Sequence, residues 1–188
     1  MIYRVLCILA FVFLPSVSQS ASFSDKYDKY FSDYAAVFLP AGTDPLLLKA
    51  QCIQESRLNP LAESPVGAQG LCQFMPSTWR QVSAALDLKP GDVWLPEASI
   101  RAQAWYMGRL YRTWSAPRPN MDRYMLSAAS YNAGAGNLIK AQRLCDGPTR
   151  YRRIIQCLPE VTGNNAHETI GYVHSIVTRW YPALLFDS

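Results

Sequence analysis

The sequence predicts a single all-α domain. Three observations carry that expectation. Apolar residues recur at three- and four-residue steps in segment after segment, the period of a helix face. Period-two alternation is scarce, and no pair of strands is obvious. Pro- and Gly-bearing breaks cut the chain at helix-length intervals. The 188 residues suit one domain, two at most. With 49% apolar and 17% charged residues, the composition supports a sizeable core and is unlike that of a disordered chain.

The N-terminus reads as a secretory signal peptide over residues 1–20. It has Arg4 and no acid, an apolar run over residues 5–14, then Pro15 and small residues, with Ser18 and Ser20 placed for a cut before Ala21. The apolar run is too short to cross a bilayer comfortably. An uncleaved anchor is the alternative. Cys7 lacks the small-residue context of a lipid site, and no later stretch is long and apolar enough to span. The mature chain, 21–188, is then one exported domain with no membrane span. Its four cysteines, Cys52, Cys72, Cys145 and Cys157, suggest two disulfides among three possible connectivities. The short loop favours Cys145–Cys157, leaving Cys52–Cys72 by elimination. Four buried free thiols are the alternative. The net charge of +4 is mild and scattered, which does not argue for nucleic acid.

Taken in order, residues 24–38 form an amphipathic helix through Tyr27, Tyr30, Phe31, Tyr34 and Phe38. "PAGTDP" breaks it. Asp44 caps the next helix and Pro45 opens it. That helix buries Leu47, Leu48, Ala50, Cys52 and Ile53, and ends near 56–58 because Pro60 disfavours helix just before it. Residues 59–76 form a long loop with Gly67 and Gly70. Its apolar content marks it as ordered and functional. Helix resumes over 77–86 with Ser77 as cap, and "KPGDVW" is a turn. The 96–114 helix starts on Pro96 and Glu97 and lines Ile100, Ala104, Met107, Leu110 and Trp114 along one side. A further helix runs from 122 to about Asn132, where Gly134 and Gly136 end it. Two short helices, about 137–145 and 149–157, flank "DGP". Residues 158–168 are expected as loop, and a last helix over 167–181 stops at Pro182.

The two histidines, His167 and His174, are seven apart, which is not metal-pair spacing. No Gly-x-Ser-x-Gly turn and no phosphate loop is present, so no metal and no cofactor is expected. Acid–base work by a carboxylate remains. Glu55, in "CIQESRLNP", sits at the C-terminal end of an apolar helix. The helix dipole and nearby Leu58 raise its pKa, which suits a general acid at neutral pH. Read locally, a stray surface acid at a helix end is an equal alternative.

Three stretches go further: "QESRLNPLAESPVGAQGLCQFMPSTW" (54–79), "SYNAGAGN" (130–137) and "ETIGYV" (168–173). In that order they resemble the signature motifs of the lytic transglycosylase SLT family of murein-cleaving enzymes. The resemblance covers about 25–182. It implies a lysozyme-like helical domain with a glycan-binding cleft, acting on peptidoglycan strands. Glu55 matches the sole catalytic acid/base, which protonates the bond between N-acetylmuramic acid and N-acetylglucosamine. It then deprotonates the muramyl C6 hydroxyl to close a 1,6-anhydro ring, without water. Most glycosidases need two carboxylates; the internal nucleophile accounts for there being one here. Tyr172 matches the tyrosine that holds the catalytic carboxylate.

Ser56, Gln73, Phe74, Tyr131 and Asn132 match substrate-binding positions. For Ser56 a helix-end role is the alternative, and for Phe74 core packing is. Met75, next to Phe74, is open to the same two readings. Glu168 reads as structural first and glycan-binding second. Trp79, Trp105 and Trp114 read as core. Cys52, Cys72 and Ser130 depart from the family pattern; a Cys52–Cys72 bridge pins the Glu55 helix to the Gln73 loop. Small members open the wall for secretion, conjugation or phage assemblies, which makes the periplasm of a Gram-negative bacterium the expected location. Two rivals share the scaffold: a goose-type hydrolytic muramidase and a non-catalytic glycan-binding protein.

Overall fold

A computed structural model describes residues 23–186. The signal-peptide reading falls on residues outside that range. The regular elements of the described chain are all helical: α1 (Asp28–Phe38), α2 (Leu46–Ser56), α3 (Pro76–Leu86), a 3₁₀ turn (Pro90–Trp94), α4 (Pro96–Thr113), α5 (Asn120–Ala133), α6 (Ala135–Leu144), α7 (Tyr151–Ile155), α8 (Leu158–Thr162), α9 (Asn165–Ser175), a π turn (Ile176–Trp180) and α10 (Tyr181–Phe186). Among the described residues, β pairing is limited to isolated bridges, Glu63 with Gln69 and Gln69 with Phe74.

The long helix α4 is the axis of the core. Ile100, Ala102, Ala104 and Met107 are fully buried on it, and α1, α3 and α5 pack around it. Small residues allow the approach: a Cβ at Gly108 of α4 would strike the Phe38 carbonyl at the end of α1. Helix α2 is buried from Leu47 to Ile53, the polar Lys49 and Gln51 included, so it runs through the domain rather than along its surface. Asp44 anchors its start. One carboxylate oxygen accepts the Leu46 N–H at 2.9 Å, and the other accepts the Tyr181 hydroxyl at 2.8 Å.

Several boundaries differ from expectation. Helix α3 opens on Pro76, not Ser77, since proline suits a first helical position. "KPGDVW", expected as a turn, is a 3₁₀ turn. Gly136 does not end a helix; it lies in the first turn of α6. The expected loop 158–168 contains α8, whose five residues are too few to show a period. The final helix runs past Pro182. Proline lacks an N–H and crowds the carbonyl four residues back, but the π turn just before it widens the helix there.

Candidate active site

Glu55 is the next-to-last residue of α2. Beyond it Arg57 (φ 59°) and Leu58 (φ 62°) are both left-handed, a costly pair of conformations for residues with side chains. Two ties hold this helix end. A disulfide joins Cys52, one turn before Glu55, to Cys72 of the 59–75 loop. The Ser56 hydroxyl donates to the Leu71 carbonyl at 2.6 Å and accepts the Asn59 N–H at 3.1 Å.

The loop is ordered by its own backbone. Gln69 and Phe74 exchange N–H···O bonds of 2.9 Å each way, and the Gly70 N–H donates to the Ala62 carbonyl at 2.9 Å. Gly70 (φ 77°) cannot carry a side chain: its Cβ would run into the Val93 carbonyl. The Gln73 amide nitrogen donates to the Ala62 and Gly70 carbonyls, both at 2.9 Å. The donor end of Gln73 is thus committed to the loop.

Against Glu55 lies α9. The Tyr172 hydroxyl donates to Glu55 Oε1 at 2.5 Å. Glu55 is half-buried, yet enough protein surrounds its carboxyl to push its pKa up to about 8. Desolvation is the main cause. The Tyr172 hydrogen bond opposes it by favouring the charged form, and the Glu168 carboxylate adds to it by repulsion. Burial raises the Tyr172 phenol well above its ordinary range, so it stays a donor. The direction at Glu55 is the expected one, and burial, the apolar half of the expected cause, is the largest contribution.

Helix α5 supplies the floor. The Tyr131 hydroxyl donates to the Cys72 carbonyl at 2.8 Å, and its ring meets Phe74 and Tyr106 edge-on with centroids 5.8 and 5.5 Å away. Asn132 accepts the Thr169 hydroxyl at 2.7 Å and donates to Glu168 at 3.4 Å. Beside it opens a polar cavity of about 250 Å³ lined by Asn132, Asn137, Thr162, Asn165, Glu168 and Thr169. A larger hollow of about 510 Å³, between α1 and α4, contains none of the motif residues. Chemistry, not volume, locates the site.

The fold brings Glu55, Tyr172, Tyr131, Asn132 and Gln73 around one region. One expected ligand contact is corrected. Phe74 is only 1% exposed and is core beneath Tyr131. Ser56 spends its hydroxyl on the loop, the helix-end alternative. Met75 is 41% exposed on the rim. Trp79 and Trp114 are buried, whereas Trp105 is half-buried with Arg109 over its ring. Ser130 has a structural use: its hydroxyl accepts the buried Trp114 N–H at 3.0 Å. Both histidines are exposed, and no metal-ligating cluster occurs among the described residues. Trp180, whose N–H donates to Gln54 at 2.6 Å, went unnoticed in the sequence. No local signal marks a contact across 126 residues.

A profile described as the transglycosylase SLT domain matches residues 40–151. The chain belongs to the SLT domain family. It is 34% identical over 175 residues to a membrane-bound lytic murein transglycosylase F of Pseudoalteromonas translucida, covering 86% of this chain and 35% of that one. The 70-kDa soluble lytic transglycosylase of Escherichia coli shares the all-α fold with a TM-score of 0.61 and 25% identity, over 86% of this chain and 26% of that chain. A complex of the 70-kDa soluble lytic transglycosylase with bulgecin A matches with a TM-score of 0.68 and 25% identity, over 87% of this chain and 25% of that chain. This SLT chain therefore spans about a third of the first of these relatives and about a quarter of the two solved chains. Among its described helices, none is long and apolar enough to cross a membrane.

Proposed function

We propose that this SLT domain is a lytic transglycosylase. It cleaves the β-1,4 bond between N-acetylmuramic acid and N-acetylglucosamine of peptidoglycan without adding water. The observation that carries the reading is the Tyr172–Glu55 hydrogen bond on a carboxyl whose pKa is raised to about 8. At neutral pH such a group holds its proton and can give it to the glycosidic oxygen. The C1–O4 bond breaks and the leaving sugar takes that proton. Glu55, now a carboxylate, accepts the proton of the C6 hydroxyl as O6 bonds to C1. The acid is regenerated, and no water enters the balance.

Tyr172 holds one carboxyl oxygen, so Glu55 presents the other. Tyr131 and Asn132 line the region as sugar contacts, with Gln73 beside them. The exposed apolar residues Leu61, Val66 and Met75 lie on the same loop and suit sugar faces. Export to the periplasm, a signal over 1–20 and one catalytic domain over 21–188 belong to the same reading. So does local wall opening for an envelope-spanning secretion, conjugation or phage assembly; that context rests on the resemblance alone.

A hydrolytic outcome is the second reading, and Glu168 is what favours it, because its carboxylate acts on Glu55 and could activate a water. Digesting purified sacculi distinguishes the two. Anhydro ends, lighter by one water than reducing ends, support the proposal, and they persist in Glu168→Gln. Reducing ends that vanish in Glu168→Gln support hydrolysis. A chain that binds sacculi and releases nothing is a binding module.

A further inference from the structure

Beyond the end of the Glu55 helix two arginines share one indole ring, and among the described residues neither is in an ion pair with a carboxylate. Arg57 stands two residues past Glu55, in the left-handed cap of α2. Its guanidinium carbon lies 3.8 Å from the centre of the Trp180 ring, and that of Arg179 lies 4.1 Å from the same centre. Trp180 is a fixed platform. Its N–H donates to Gln54 at 2.6 Å, and Phe23 packs on it edge-on at 5.8 Å. The platform is thereby bonded to the residue just before Glu55. The π turn carries both Arg179 and Trp180, and such turns concentrate at functional sites.

Both arginines are exposed, while the indole they share is buried. The ion pairs among the described residues are Lys29–Asp33, Lys49–Asp28 and Arg150–Asp122; neither arginine takes part. Burial and the charge of Arg179 both lower the pKa of Arg57, so the two guanidinium groups feel each other. An anion relieves that repulsion. A guanidinium stacked on a ring keeps its edge N–H groups for a planar acceptor, and a carboxylate fits that fork in bidentate fashion.

We propose that Arg57 and Arg179, held against Trp180, form a subsite for a carboxylate of the peptide stem borne by the glycan strand. The inference rests on the murein reading of the Glu55 site. N-acetylglucosamine is neutral, and the lactyl carboxyl of N-acetylmuramic acid is taken up in the amide bond to the peptide, so the acidic groups of a stem-bearing strand belong to the peptide branches.

The test uses the full chain with Glu55→Gln, which stops turnover. Binding constants are measured by calorimetry for a soluble disaccharide–peptide with free carboxylates, and for the same compound fully amidated. With both arginines present the free acid binds about tenfold more tightly, the low end for charge-assisted hydrogen bonds at an exposed site. Arg57→Gln with Arg179→Gln brings that ratio to about one. Each single variant gives an intermediate ratio, which keeps the result readable if the double variant folds poorly. A ratio near one in the parent, an unchanged ratio in the variants, or no binding of either compound overturns the proposal. The murein-cleaving reading fails separately, if wild-type digests of sacculi release neither anhydro nor reducing ends.

Discussion

The protein carries two disulfides in very different surroundings. Cys52–Cys72 is fully buried and ties the Glu55 helix to the Gln73 loop. Cys145–Cys157 is half-exposed and closes the turn between α6 and α8, near none of the motif residues. By chain entropy the two are nearly equal, since their separations are 20 and 12 residues. Each is worth about 3 kcal/mol on that basis, and the difference in loop length is worth only about 0.5 kcal/mol. What differs is what each bond holds. The first fixes the backbone on both sides of a half-buried acid; the second staples a peripheral lobe.

The largest effect expected lies in the first region. Glu55→Gln keeps the shape and removes the proton, so murein cleavage falls by roughly 10³-fold. The same variant melts higher than the wild type at pH 8. The folded protein holds the Glu55 proton more tightly than the unfolded chain does. Its stability therefore falls as pH rises from the ordinary carboxylate range to about 8, and the variant lacks that loss. A melting gap that does not close again near pH 4.5 breaks this account.

Opening the buried bond comes next. Cys52→Ala with Cys72→Ala is expected to lower stability by about 3 kcal/mol and, unlike its counterpart, to cut turnover as well. Tyr172→Phe is milder, roughly a tenfold loss in turnover. Because its hydrogen bond lowers the Glu55 pKa, losing it moves the alkaline fall in activity to higher pH. A downward move of that midpoint contradicts the assigned role. Smallest in activity is Cys145→Ala with Cys157→Ala, which costs stability of the same order but leaves turnover within about twofold. Mild reductant sharpens the contrast: alkylation and mass spectrometry should find Cys145 and Cys157 modified first, with cleavage intact.

The longer helices were legible because they repeat an apolar face over ten or more residues, as α1 and α4 do. Helix α8 was not, since five residues show no period, and the run past Pro182 depends on a π turn that no local pattern announces. The Glu55–Tyr172 pair spans 117 residues and was legible only through motif resemblance. Helix and loop patterning alone left Glu55 undecided. That Ser56 serves the helix end and that the Gln73 amide nitrogen is committed to the loop could not be read from the sequence, because side-chain hydrogen bonds to a folded loop are decided by tertiary geometry. Trp180 escaped notice for the same reason. Ser130, seen as a small departure, is explained only by the indole of Trp114 above it.

The central claim is that Glu55, held by Tyr172, works alone and without water. The direct measurement is a sacculus digest run in heavy-oxygen water, with the new glycan ends analysed by mass. The account predicts 1,6-anhydro ends that carry no heavy oxygen and that disappear in Glu55→Gln. Ends that take up one heavy oxygen, or anhydro ends released at the wild-type rate by Glu55→Gln, would contradict it.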